Sequence, residues 1–215
     1  MAKLNVAPTK SNHLELSQQL ASAKEGYELL DQKRQILVYE LMSRLGRARD
    51  AERRVAEAMQ RAFAALRGAV LDVGSANVDR AALAVNLDHQ LELASQSLMG
   101  ILLPTVTAML AECSVQFGVG GTSASTDAAM RRFVDVLSLL AELAELENSV
   151  IRLARELRKT QRRCNALSKV FIPDYSETIE YILSNLEERE RESLIIQKMI
   201  KDRLSRQGKG NVGNG

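Results

Sequence analysis

The chain has 215 residues, of which 46% are apolar, 4% aromatic and none is tryptophan, and its formal charge is only +2. Such a composition is that of long helices rather than of a rounded, aromatic-rich core. So small a net charge gives no reason to expect nucleic acid or an anionic membrane as the partner.

Residues 1–10 read as a flexible arm, because Pro8 disfavours helix immediately before it. Ser11 or Asn12 can cap a first helix expected over residues 11–71. Its apolar positions run from Leu20, Tyr27 and Leu30 through Leu37, Leu41 and Leu45 to Val55, Met59, Phe63 and Leu66. At helical rise this is a rod of about 90 Å. From Ala48 onwards its face is mostly alanine, which permits close approach of a second helix but buries little area per layer.

A small middle region is expected over residues 72–127. Gly74, Ser75 and Asn77 read as a break, and residues 78–87 as a short helix or irregular chain. The stretch 91–106 reads as a β-hairpin turning at Met99 and Gly100, too small to be stable unless it leans on something else. Gly118 to Ser123 could offer backbone N–H groups to a phosphate at a helix start, but it lacks the P-loop lysine and a preceding buried strand. A flexible connection is the simpler reading, with Ser125, Thr126 or Asp127 capping the next helix.

That last helix is expected over residues 128–205, with a kink near Pro173 and a disordered tail over 206–215. Val136, Leu143, Val150, Leu157, Cys164 and Phe171 recur every seven residues, with Leu139, Leu146, Leu153 and Leu167 three positions further on. This is a coiled-coil seam, interrupted only at Thr160. The fold class is therefore mainly α, two long helices in an antiparallel coiled coil around a small middle region with a short β-hairpin. Beyond the first helix's reach, residues 185–192 are charged all round, as expected of a lone helix whose surroundings come from another protein.

No catalytic group stands out. His13 and His89 are the only histidines, and neither has ligands at metal-binding spacing. Cys113 and Cys164 need no disulfide, which fits a reducing compartment. No stretch approaches the roughly 20 apolar residues that span a bilayer, so no direct membrane insertion is expected. Arg152, Arg155, Arg158, Lys159, Arg162 and Arg163 form a basic band on the last helix. It lacks the interleaved aromatics that nucleic acid would call for.

The ordered segments K-T-Q-R-R-C-N-A-L (Lys159 to Leu167), V-F-I-P-D-Y (Val170 to Tyr175) and E-E-R-E-R-E (Glu187 to Glu192) carry a family resemblance. With P-T-K-S-N (Pro8 to Asn12), E-G-Y-E-L-L-D-Q-K-R (Glu25 to Arg34), S-L-M-G-I-L-L-P (Ser97 to Pro104) and G-T-S (Gly121 to Ser123), they cover nearly the whole chain. Together they resemble the D subunit of V-type and archaeal-type rotary ATPases. Cys164 and Ser168 depart from that pattern, where valine and glutamate are expected, and the hairpin lacks an arginine-asparagine pair before Met99 and Gly100.

The resemblance implies a non-catalytic central rotor shaft, transmitting torque between the catalytic hexamer of A and B subunits and the ion-translocating membrane rotor. Its implied partners are the A and B subunits, the C-type (or d-type) coupling subunit, and the F subunit. It implies no cofactor in this chain, nucleotide being bound by the A and B subunits, and a place on the cytoplasmic side of a membrane in a peripheral complex. On this reading the seam residues Leu139, Leu143, Leu146, Val150, Leu153, Leu157, Cys164 and Leu167 hold the shaft together. Arg155, Lys159, Arg162 and Arg163 face the hexamer, with Glu187, Arg189 and Arg191 nearer its far end. The rival readings are a free-standing coiled-coil adaptor binding a helical partner, and a small nucleotide-binding enzyme using the glycine turn.

Overall fold

The computed structural model describes residues 4–85, 89–110, 118 and 120–210, with side chains up to residue 203. In chain order these are helix α1 (Lys10–Val73), helix α2 (Ser75–Leu83), strands β1 (Gln90–Leu98) and β2 (Ile101–Met109), helix α3 (Ala124–Ala166), a π-helical turn (Leu167–Phe171) and helix α4 (Ile172–Gly210). Cys113, the last two positions of the stretch 78–87 and residues 211–215 of the expected tail lie outside the described residues. The chain folds as two compact units, residues 33–159 and residues 1–32 with 160–215.

In the unit of residues 33–159, α1 and α3 pack antiparallel, small residues of one against large residues of the other. Ala58 and Ala62 bury against Val136, with Met59, Phe133 and Leu139 around them. Ala48 and Ala51 bury against Leu146, with Leu143 beside them. The alanine face of α1 is thus the buried one, and Phe63, one of the apolar positions read along the first helix, stands half exposed with its ring edge-on to Phe133 at 5.5 Å. The third cluster is Leu37, Leu103 and Leu153, with Leu41, Leu98, Ile101 and Leu157 packed against it, and Leu103 comes from the hairpin. The small sheet is therefore stable because it is keyed into the helix pair.

Lys33 and Glu156 approach to 3.9 Å across the pair, and Arg54 meets Glu142 at 2.8 Å. Being partly exposed, these pairs set alignment more than stability. The break after α1 is a single residue, Gly74, at φ 83. Asn77, expected in that break, instead lies inside α2 and donates to the Val73 carbonyl at 2.9 Å. α3 begins at Ala124, before the expected Ser125, Thr126 or Asp127. Ser123 precedes it, its carbonyl accepting from the Thr126 and Asp127 N–H groups while its own N–H donates to Thr126 Oγ1 at 3.4 Å. Only the return half of a capping box is present, with threonine in the usual glutamate position, because the Ser123 hydroxyl lies against that of Ser125 and not against the Thr126 N–H.

In the unit of residues 1–32 with 160–215, Leu16, Thr160, Cys164, Thr178 and Ile182 are buried. Pro173 cannot donate to the helical ladder, and the strain is absorbed by the π-helical turn just before it, where the Ile172 N–H reaches back to the Leu167 carbonyl. Each π turn takes more residues than an α turn, so the seven-residue spacing no longer returns to the same face. Phe171, expected on the seam, is 46% exposed for that reason. Residues 4–9 are non-helical as expected but tied down, with the Leu4 N–H donating to Thr178 Oγ1 at 3.2 Å. α4 continues to Gly210, so residues 206–210, expected to be disordered, are helical.

Candidate functional site

The glycine turn is closed by its own side chains. Thr122 Oγ1 donates to the Gly118 carbonyl at 3.1 Å, Ser123 and Ser125 hydroxyls lie 2.5 Å apart, and Ser125 donates to the Asp72 carboxylate. A carboxylate from α1 thus stands at the start of α3, where a phosphate would have to sit. Gly121 has φ 85, and a β-carbon there would already touch Asn77. No group of three potential metal ligands exists among the described residues. Nor is any helix among them long and apolar enough to cross a membrane.

The basic band lies on the outside of α3. In the first unit Arg155 and Arg158 are exposed and make no ion pair among the described residues, while Lys159 approaches Glu156 only at 4.0 Å. In the second unit Arg162 and Arg163 are likewise exposed and without an ion pair among the described residues. Glu156 is shared between Lys159 and Lys33, so the cations of this stretch outnumber the acid available to them. Such side chains are free to meet an anionic partner surface.

Further along, the charges of α4 are partly spent inside the chain. Arg189 Nη1 donates to the Pro8 carbonyl at 3.2 Å, and Glu190 holds Lys10 at 2.9 Å. The hydrogen bond from Lys10 to Glu190, and then the charge of that carboxylate, raise the lysine pKa above its ordinary value. Arg191 pairs with Glu187 at 3.8 Å and with Glu188 at 3.5 Å. The uncovered stretch of α4 therefore begins after Glu190 rather than at 185. From Arg191 to Arg203 every side chain is exposed, including Leu194, Ile195, Ile196, Met199 and Ile200. Ile195 with Met199, and Ile196 with Ile200, stack one turn apart and make an apolar stripe that nothing among the described residues covers.

The seam residues are placed as follows. Leu146, Leu153 and Cys164 are buried, and Leu139, Leu143, Val150, Leu157 and Leu167 are half-buried. Sequence reasoning missed two side chains that hold the hairpin. Glu145 Oε2 accepts from the Val106 N–H at 2.8 Å, and Arg152 Nη1 donates to the Leu102 carbonyl at 2.7 Å. Both are separated from their partners by dozens of residues, so no local signal could have found them. Met99 and Gly100 both adopt positive φ, 52 and 80, which makes the tip a two-residue type I′ turn.

With this geometry in place, comparison with known proteins is specific. Residues 12–202 match the family model described as that of the ATP synthase D subunit. The chain is 35% identical over 203 residues to the V-type ATP synthase D subunit of Thermotoga neapolitana, covering 94% of this chain and 100% of that one. It is 38% identical over 201 residues to the V-type ATP synthase D subunit 2 of Treponema pallidum, covering 94% and 96%. It is 36% identical over 202 residues to the A-type ATP synthase D subunit of Methanosphaera stadtmanae, covering 93% and 94%.

Proposed function

We propose, starting from the fact that this chain belongs to the family of ATP synthase D subunits, that it is the non-catalytic central shaft of a V/A-type rotary ATPase. It carries torque between the hexamer of A and B subunits, where nucleotide is bound and turned over, and the ion-translocating rotor in the membrane. Its further partners are the C-type or d-type coupling subunit, together with the F subunit, and the complex works at the cytoplasmic face. The observation that carries this reading is the match over residues 12–202, which includes both long helices and the hairpin.

The physical features that support it are three. Packed helix pairs resist twisting better than a single helix, and here alanines against leucines and valines keep the pair close. The apolar stripe of Ile195, Ile196, Met199 and Ile200 needs a protein surround. Arg155, Lys159, Arg162 and Arg163 are exposed on α3 and available to acidic side chains of the hexamer. A shaft that presents different faces to three catalytic interfaces biases each toward a different conformation, and by linkage the nucleotide state of each interface biases the angle of the shaft.

Native mass spectrometry of the purified chain with A and B subunits of its own genome, with and without the F subunit, tests the assignment. One copy bound to three A and three B subunits is the expected result. Failure to bind well-formed hexamers, even when the F subunit is present, would favour a free-standing coiled-coil adaptor.

A further inference from the structure

The two edges of the hairpin are finished differently. Leu98 pairs with Ile101 across the two-residue turn, and the register then alternates along the ladder to Gln90 and Met109. In such a hairpin the flanking pair is hydrogen-bonded, so Leu91, Leu93, Ser95 and Ser97 on β1, and Ala108, Val106, Pro104 and Leu102 on β2, turn their backbone groups outward. On β2 that edge is closed. Val106 donates to Glu145, Leu102 accepts from Arg152, and Pro104 has no N–H to satisfy. On β1 it is open, with none of the four outward N–H groups engaged among the described residues and Leu91 and Leu93 65% and 74% exposed.

Proteins usually blunt a free edge with lysine, proline or a bulge, and β1 has none of these. Its one charge, Glu92, lies on the opposite face from Leu91 and Leu93. The leucine face, with Pro104 and Val106, forms one wall of an apolar groove of about 630 Å³ whose other wall is α3 at Leu137, Leu140, Ala141 and Ala144.

We propose that the outer edge of β1 is a strand-addition site, at which an extended segment of a partner polypeptide pairs with Leu91, Leu93, Ser95 and Ser97 and lays alternate apolar side chains into the adjoining groove. Water solvates these groups in the isolated chain, and among polypeptide elements an extended strand matches the spacing of the row, while the alternation of the exposed leucines calls for the same alternation in the occupant. A second copy of this chain fits less well, because antiparallel self-pairing along the full length of β1 sets Leu91 opposite Ser97 and Leu93 opposite Ser95. The proposal rests on the chain working within a larger assembly.

The test uses the full chain, tagged, alone and in the complex recovered with its A and B subunits. Hydrogen exchange over residues 90–98 should show four additional slow amides in the complex, those of Leu91, Leu93, Ser95 and Ser97. Ser95→Pro, which removes an outward N–H opposite Pro104, should keep the melting temperature of the isolated chain, lose the protection of the Leu91, Leu93 and Ser97 amides and weaken assembly about tenfold. Ser95→Ala should behave as wild type. Unchanged exchange in a complex that still contains A and B subunits would overturn the strand addition and leave the shaft reading standing. A chain not recovered with those subunits would overturn both. Equal loss in Ser95→Ala would overturn a backbone role, and protection of the same amides in a concentration-dependent dimer would replace the partner by a second copy.

Discussion

Met99 is the residue most at odds with its backbone. A type I′ turn wants asparagine followed by glycine, and a methionine at φ 52 lacks the short polar side chain that makes the left-handed region tolerable. Met99→Asn should therefore stabilise the isolated chain by about 0.5–1 kcal/mol, read from denaturant unfolding. A destabilised variant would mean that the 45% exposed methionine side chain packs better than its geometry implies. The location of this turn was legible from a glycine between an alternating stretch and an apolar run, but its class was not, because methionine carries no turn signature. Ser149 was equally opaque, fully buried on α3 at a position outside the seven-residue pattern, whereas Thr160 was legible as the one break in the seam and is buried there.

At the scale of elements, the seam from Val136 to Leu157 could be read directly, since seven-residue recurrence fixes which face meets a partner helix. Leu153 joins α1, α3 and the hairpin through Leu37 and Leu103. Leu153→Ala should lower stability by about 2–5 kcal/mol, measured by chemical denaturation, and should speed exchange in the hairpin as well as in the helices. A loss confined to the helices would contradict the cluster. The anchoring of the N-terminal arm was not legible, because it depends on a threonine 174 residues away. Thr178 Oγ1 accepts from Leu4 and donates to the Asp174 carbonyl at 2.6 Å. Thr178→Val should cost about 1 kcal/mol and release the Leu4 amide to fast exchange, whereas an unaltered Leu4 amide would show that the arm is held elsewhere. Phe171 was misplaced for a related reason, since a π-helical turn interrupts the period on which the seam was counted.

For the whole molecule, the family was legible because its short segments recur in order, whereas the surfaces that serve it were only partly so. The basic residues of α3 were recognisable as a band, and the structure leaves them exposed. Arg189 read as one more outward charge, yet it binds the Pro8 carbonyl, a contact that follows only from how the arm returns along α4. Replacing Arg155, Lys159, Arg162 and Arg163 together by glutamine should lower the ATP-driven activity of the assembled complex several-fold while the circular dichroism of the isolated chain stays helical. Unchanged activity and torque would remove these residues from the hexamer interface.

What separates a shaft from a scaffold is that a shaft turns. A bead attached through cysteine at the exposed position Asp79 on α2, on complexes fixed to a surface through their A or B subunits, reports that motion directly. Stepwise rotation in one direction is expected when ATP is added, ceasing when ATP is exhausted. A complex that binds this chain and hydrolyses ATP while the bead stays still, or wanders in both directions alike, would contradict the shaft assignment.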